Sequence, residues 1–87
     1  MKIVIFGPRK RTGALHDGSV VDLSHAYAKY LAERTNEPNP LEMAEVVVPS
    51  DLARFIEGGP RALEAAQQAL DYLLAKRKTG LAQEARP

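Results

Sequence analysis

The segment that decides the fold is GALHDGSVVDLS, residues 13–24. Near its centre, Asp17 and Gly18 separate two short runs, the second rich in β-branched residues. A two-residue Asp-Gly turn suits type I′ geometry, because both central residues need a positive φ angle, which Gly tolerates best and Asp better than most. The pattern therefore predicts an antiparallel hairpin with its turn at Asp17-Gly18.

A further strand is predicted before the hairpin. Residues 2–6, KIVIF, are β-branched and aromatic types in a short run, which Gly7 and Pro8 end. The charged residues 9–12, RKRT, are expected to form a loop. A small antiparallel sheet of two or three strands follows from these segments.

Two helices are expected after the hairpin. Ser24 is the expected N-cap of the first, because its hydroxyl can accept a hydrogen bond from a free backbone N–H, and the prolines at 38 and 40 stop this helix. Residues 41–48 are ambiguous, since they begin with helix formers and end in three valines. We expect a brief helix there that ends near Glu45. The apolar residues at helical spacing around the first helix are Leu23, Tyr27, Tyr30 and Leu31.

Two more helices are predicted beyond Pro49. Ser50 is the expected cap of the first, with Asp51 near the positive end of its dipole, and Gly58-Gly59 ends it. Gly80 is the expected end of the last helix. The predicted apolar faces are Leu52, Phe55 and Ile56 on the shorter helix, and Leu63, Ala66, Leu70, Leu73 and Leu74 on the longer one. The predicted class is α+β: one domain over residues 1–80, with a sheet followed by three or four helices, and a polar tail or linker over residues 81–87.

Composition restricts the function classes. The chain of 87 residues suffices for one small domain, and its formal charge of +1 supplies no general field for nucleic acid or an anionic membrane. The absence of cysteine excludes disulfides and thiolate chemistry and fits a reducing cytoplasm. The N-terminal apolar run is shorter than the roughly 7–15 residues of a signal peptide. We therefore expect a cytoplasmic protein with neither membrane nor nucleic acid as its partner.

The candidate catalytic residues are few. His16 and His25 are the histidines of the chain, and neither lies in a recognisable motif, so both are expected to be surface or partly packed. Glu42 and Glu45 lie three residues apart and could share a helical face, but histidine and carboxylate are not clustered at metal-ligand spacing. No catalytic, cofactor-binding or metal-binding residue is assigned in this chain.

Two features could bind a partner. The basic run of Arg9, Lys10 and Arg11 could contact phosphates, although a solvated loop is the simpler interpretation. The leucines of the last helix belong either to the core or, in part, to a contact with something outside these residues.

The order of several short segments resembles the N-terminal domain of the fumarylacetoacetate hydrolase family. These segments are KIVIFGPR at residues 2–9, TGAL at 12–15, DGSVVDLS at 17–24, VPSDLARFIEGG at 48–59 and ALEAA at 62–66. The similarity extends from Lys2 to about Leu74. It implies a separate C-terminal domain that carries the chemistry on a mixed β-roll, with a divalent metal, usually Mg²⁺, held by three carboxylates. Members hydrolyse, decarboxylate or isomerise acylpyruvate-type and related 2-oxo acid substrates.

The resemblance therefore implies a non-catalytic N-terminal domain. It would pack on the catalytic domain of the parent enzyme, support a homodimer and flank the active-site entrance. The alternative is a free-standing interaction module that binds a protein or nucleic acid through the helix of residues 63–74 or the loop of Arg9, Lys10 and Arg11. A third hypothesis is a small enzyme that uses His16 or His25 with distant carboxylates.

Overall fold

The computed structural model describes residues 1–84, with side chains as far as residue 77. In the described part of the chain, a sheet of three antiparallel strands is followed by four helices, which confirms the predicted α+β class. The strands are β1 (Lys2–Phe6), β2 (Arg11–His16) and β3 (Ser19–Asp22), in the spatial order β1-β2-β3. The helices are α1 (Leu23–Arg34), α2 (Pro40–Val47), α3 (Leu52–Glu57) and α4 (Gly59–Glu84).

The turn between β2 and β3 has the geometry that the sequence predicts. Asp17 has a φ angle of 49° and Gly18 one of 76°, so both central residues are in the left-handed region. His16 pairs with Ser19 across the turn. The predicted hairpin at Asp17-Gly18 is confirmed.

The loop between β1 and β2 is shorter than expected. Arg11 and Thr12 were expected in the loop but are the first two residues of β2, where they pair with Phe6 and Ile5 of β1. A tight turn with positive φ angles at Gly7 (74°) and Lys10 (51°) makes the connection. The Lys10 N–H donates to the carbonyl oxygen of Gly7 at 3.1 Å, and this bond closes the turn early enough for Arg11 to join the ladder.

Aspartates rather than serines cap two of the helices. Asp22 Oδ1 accepts from the His25 N–H at 3.1 Å, and Asp51 Oδ2 accepts from the Arg54 N–H at 3.1 Å. Ser24, the expected cap of α1, instead lies inside the first turn and is buried. Ser50 precedes the Asp51 cap, and its hydroxyl donates elsewhere, to Glu45.

Two helix ends lie beyond their expected positions. Helix α2 continues past Glu45 to Val47, because Val47 and the following Val48 pack against the core. Helix α4 continues through Gly80 to Glu84, so the expected stop at Gly80 is wrong. A glycine inside a helix costs about 1 kcal/mol relative to alanine, which a long helix can tolerate. The last part of the predicted tail, residues 85–87, lies outside the described residues.

The core lies between the sheet, α1 and α4. The residues that α4 contributes to it differ from the predicted apolar face of this helix. Leu63 is 52% exposed and Ile56 of α3 is 66% exposed, although both were expected to face inwards. Alanines occupy the inner face of α4 and allow a close helix approach, because interhelical distance depends on the side chains at the contact. The buried cluster comprises Ala14, Val21, Leu23, Ala26, Val48, Phe55, Ala62, Ala66, Ala69 and Leu70.

Candidate functional site

Both histidines lie at the protein surface, as expected. His16 ends β2, and its Nε2 is 3.5 Å from Asp17 Oδ2. His25 lies in the first turn of α1, and its Nδ1 is 3.5 Å from Asp22 Oδ2. Their side chains are 45% and 61% exposed. Each imidazole is therefore solvent-exposed and lies near one neighbouring carboxylate.

Glu45 has a structural partner rather than a metal-binding one. Its Oε1 accepts from the backbone N–H of Ser50 at 2.9 Å and from the Ser50 hydroxyl at 3.1 Å. Its Oε2 lies 3.8 Å from Arg11 Nη1. Among the described residues, no group of three or more histidine, cysteine or acidic side chains is arranged to hold a metal ion. Glu45 thus joins the end of α2 to the segment before α3.

The fold separates Arg11, which lies in β2, from Arg9 and Lys10, which lie in the preceding turn. Arg11 Nε donates to Asp22 Oδ2 at 2.6 Å, and Nη2 donates to Oδ1 at 3.2 Å. Burial of Asp22 opposes its ionisation, yet hydrogen bonds from Arg11 and from the His25 N–H leave its pKa below the ordinary value. The hydrogen bond to Asp22 also raises the pKa of Arg11. Arg9 and Lys10 are exposed in the turn, whereas Arg11 is held by Asp22, so within the part of the chain that the structure describes the predicted basic loop is reduced to two exposed cations.

A cluster of three tyrosines connects α1 to α4. The rings of Tyr27 and Tyr30 are stacked with centroids 5.8 Å apart, and Tyr72 meets Tyr30 edge-on at 5.5 Å. Gln68 Nε2 donates to the Tyr30 hydroxyl at 2.8 Å. Desolvation, with a smaller contribution from Tyr30, raises the pKa of Tyr27. The spacing of Tyr27 and Tyr30 on one helix is visible in the sequence, but the third ring comes from a distant helix.

Glu33 forms a charged contact beside the tyrosines. It accepts hydrogen bonds from Lys76 and from the Tyr72 hydroxyl, and its Oε2 is 2.9 Å from Lys29 Nζ. These three donors, with Lys76 first, lower the pKa of Glu33 to about 2. The same contact raises the pKa values of Tyr72 and Lys76. Glu33 therefore reinforces the α1–α4 packing from the solvent side, which sequence reasoning does not anticipate.

An open groove of about 570 Å³ separates α2 from the first half of α4. Its apolar lining includes Val46, which is 74% exposed. Leu41, also on α2, is 62% exposed. An apolar side chain exposed in a groove can contribute to a docking surface where the exposed apolar area is contiguous. The lining residues are Val46, Val47, Gly58, Arg61, Ala62, Glu64, Ala65 and Gln68.

No protein-family model, curated protein or solved structure matches the chain. Over the described residues, no helix combines the length and the apolar character needed to cross a bilayer. The function of the chain must therefore be inferred from its own residues and their geometry, and the α2–α4 groove is one candidate site in the described part of the chain.

Proposed function

We propose that the protein is the non-catalytic N-terminal domain of an enzyme similar to the fumarylacetoacetate hydrolase family. A separate catalytic domain would bind Mg²⁺ or another divalent cation and would hydrolyse, decarboxylate or isomerise acylpyruvate-type or other 2-oxo acid substrates. This chain would pack on that domain, support a homodimer of the parent enzyme and flank its active site. The proposed location is the cytoplasm, with which a cysteine-free chain is compatible.

Residues that carry the family resemblance have defined structural roles, which supports the proposal. Gly7 ends β1 in a left-handed conformation, and Asp17-Gly18 forms the hairpin turn. Asp22, the acidic residue of the VVDLS segment, caps α1 and binds Arg11. The resemblance therefore includes residues on which the local conformation of this fold depends.

The observation that carries the proposal is the exposed apolar surface around the α2–α4 groove. Val46, which lines the groove, is 74% exposed, and Leu41, near the start of the same helix and outside the groove lining, is 62% exposed, although this helix packs on α1. Burial of apolar surface is favourable by about 25 cal/mol per Å², so a partner that covers these residues gains free energy. A catalytic domain seated on α2 and α4 would bury them and would hold the sheet away from the contact.

Mixing experiments test this docking. A catalytic-domain polypeptide from a fumarylacetoacetate hydrolase-like enzyme, lacking its own N-terminal domain, is titrated with the full chain in isothermal titration calorimetry. We expect saturable binding that falls at least tenfold in Val46→Glu. The matched control is Val20→Glu on β3, which changes a half-exposed valine outside the groove and should bind like the parent chain. Absence of binding at high micromolar concentration, or equal binding by Val46→Glu, would contradict the proposal.

The alternative is a free-standing interaction module. Leu63 is 52% exposed on the last helix, and Arg9 and Lys10 extend from the turn before β2. Nucleic acid binding that weakens with salt and disappears in the double variant Arg9→Ala, Lys10→Ala would favour this alternative. Arg11→Ala is not a useful test here, because it also removes the ion pair with Asp22.

A further inference from the structure

Strand β1 is an edge of the sheet. It pairs with β2 alone, because the strand order is β1-β2-β3. Its sequence, KIVIF, contains four consecutive apolar residues after Lys2, and Ile5 is 51% exposed. A strand with one solvated face normally alternates apolar and polar residues, whereas a continuous apolar run is typical of a strand that is buried on both faces.

The hairpin determines which backbone groups of β1 face outwards. In a two-residue hairpin the residues that flank the turn, His16 and Ser19, form a hydrogen-bonded pair, and antiparallel pairing alternates from there. The residues of β2 that bond to β1 are therefore Leu15, Gly13 and Arg11. Thr12, which this alternation turns away from β1, donates its N–H to Ser50 at 2.8 Å, in agreement with the assignment.

The free edge of β1 consequently presents the N–H and C=O groups of Ile3 and Ile5. The residues paired with Leu15, Gly13 and Arg11 are Lys2, Val4 and Phe6, so these direct their backbone groups to β2. No backbone hydrogen bond to the free groups of Ile3 or Ile5 is found in the part of the chain that the structure describes.

This edge has little of the protection that edges usually have. Native edge strands avoid pairing through charged side chains, proline, bulges or very short length. In β1 the single charge is Lys2 at one end, and proline occurs only after the strand, at position 8. Residues 3–6 are therefore open to strand addition.

We propose that β1 of a second copy of this chain pairs with β1 in an antiparallel arrangement centred on Val4. In this register Ile3 lies opposite Ile5 of the other copy, and the two residues exchange both backbone bonds on each side of the twofold axis. The result is a continuous sheet across two copies. The pairing extends beyond the proposed function, because it requires only β1 and holds whether or not a catalytic domain binds the groove.

Charge favours this register. Lys2 lies opposite Phe6 of the second copy, so the two lysines stay at opposite ends of the contact and like charges do not face each other. Ile3 packs against the core, and the half-exposed Ile5 of one copy would lie beside Ile3 of the other. The two Val4 side chains would meet at the axis, on the opposite face of the sheet. The same strand thus supplies complementary partners for itself.

Sedimentation velocity of the full chain tests the proposal. We expect a concentration-dependent species of about twice the 9.5 kDa monomer mass. Ile5→Pro removes an N–H that faces outwards and leaves the β1–β2 bonds in place, so this variant should sediment as a monomer with an unchanged circular dichroism spectrum. Ile5→Lys, a charge on the exposed edge, should also be monomeric and serves if the proline variant does not fold. Val20→Lys on the other edge strand is the control that should retain the dimer.

Amide hydrogen exchange identifies the contact directly. Raising the protein concentration should slow exchange at Ile3 and Ile5 at least fivefold and should leave Val4, whose N–H already bonds to β2, unchanged. A chain that remains monomeric at 1 mM would overturn the proposal. So would a dimer that persists in folded Ile5→Lys, or one that Val46→Glu dissociates, because the contact would then lie elsewhere. Loss of the dimer in Ile5→Lys with retained binding to a catalytic domain separates this pairing from the proposed function.

Discussion

Arg11 on β2 and Asp22 at the end of β3 form a doubly hydrogen-bonded ion pair, with Nε to Oδ2 at 2.6 Å and Nη2 to Oδ1 at 3.2 Å. Both side chains are largely buried, with 22% and 17% of their surface exposed. The same carboxylate caps α1 through the His25 N–H. One aspartate therefore couples the strand ladder to the start of the first helix.

Replacing Asp22 separates its two roles. Asp22→Asn keeps a side-chain oxygen for the cap but loses the charge, whereas Asp22→Ala loses both. We expect Asp22→Ala to be less stable than Asp22→Asn by about 1 kcal/mol, the usual value of an N-cap, in urea unfolding. Both variants should be less stable than the parent chain. Equal stability of the two variants would show that the cap contributes nothing.

Thr12 connects the sheet to the segment before α3. It is fully buried, and its hydroxyl and its backbone N–H both donate to the Ser50 carbonyl oxygen at 2.8 Å. Thr12→Val should lower the free energy of unfolding by about 1 kcal/mol, because the hydroxyl bond is lost while the backbone bond still satisfies Ser50. Thr12→Ser, which keeps the hydroxyl and removes the methyl group, is the matched comparison for the packing contribution. A neutral Thr12→Val would contradict the role of the hydroxyl.

Gly13 allows close packing on β2. A Cβ atom there would lie 2.8 Å from Phe6 Cε1 and 2.8 Å from the Val21 carbonyl oxygen. The Phe6 ring can shift, but the carbonyl belongs to the β2–β3 ladder, so we expect Gly13→Ala to destabilise the fold by about 1–3 kcal/mol in thermal or urea unfolding. Gly7→Asn is the control, because Asn tolerates the positive φ and a Cβ at Gly7 meets no atom within 4 Å. A Gly13→Ala variant that unfolds like the parent chain would contradict a structural requirement for glycine at this position.

Glu33 should titrate far below a free glutamate. Its pKa is lowered from 4.5 to about 2 by Lys76, Tyr72 and Lys29, so its contribution to stability is complete above pH 4.5 and is lost as the pH falls through 2. Because the contact is exposed, salt screens it and the effect on total stability is small. Carbon-13 NMR titration of the side-chain carboxyl should place its midpoint below 3 at low salt. Lys76→Met should move this midpoint back towards 4.5.

Local signals in the sequence are sufficient for part of this fold. Residues 2–6 are a strand as predicted, and Asp17-Gly18 is a turn, because both depend on the conformational preferences of a few adjacent residues. Helix ends are less well predicted. Ser24 and Asp22 are both good N-caps, and the choice depends on where the strand before them stops pairing.

The candidate surfaces are predicted less completely than the fold. The sequence places Leu63 on the apolar side of α4, but a 3.6-residue period tolerates a rotation of the buried face by one position, and here alanines at 62, 66 and 69 turn inwards. The groove beside α2 depends on how two helices approach each other, which no local pattern specifies. Arg11 was expected to be a free cation because its partner, Asp22, is eleven residues away and no local pattern connects the two.

The sequence by itself determined the first strand, the hairpin turn and the order of a sheet followed by helices, because backbone preferences, proline and glycine act over a few bonds. Only the tertiary structure decided which carboxylate binds Arg11, which face of α4 is buried and which apolar residues remain open on α2 and at the edge of β1. Those outcomes depend on distances between residues far apart in the chain, which tertiary packing sets and no local pattern specifies.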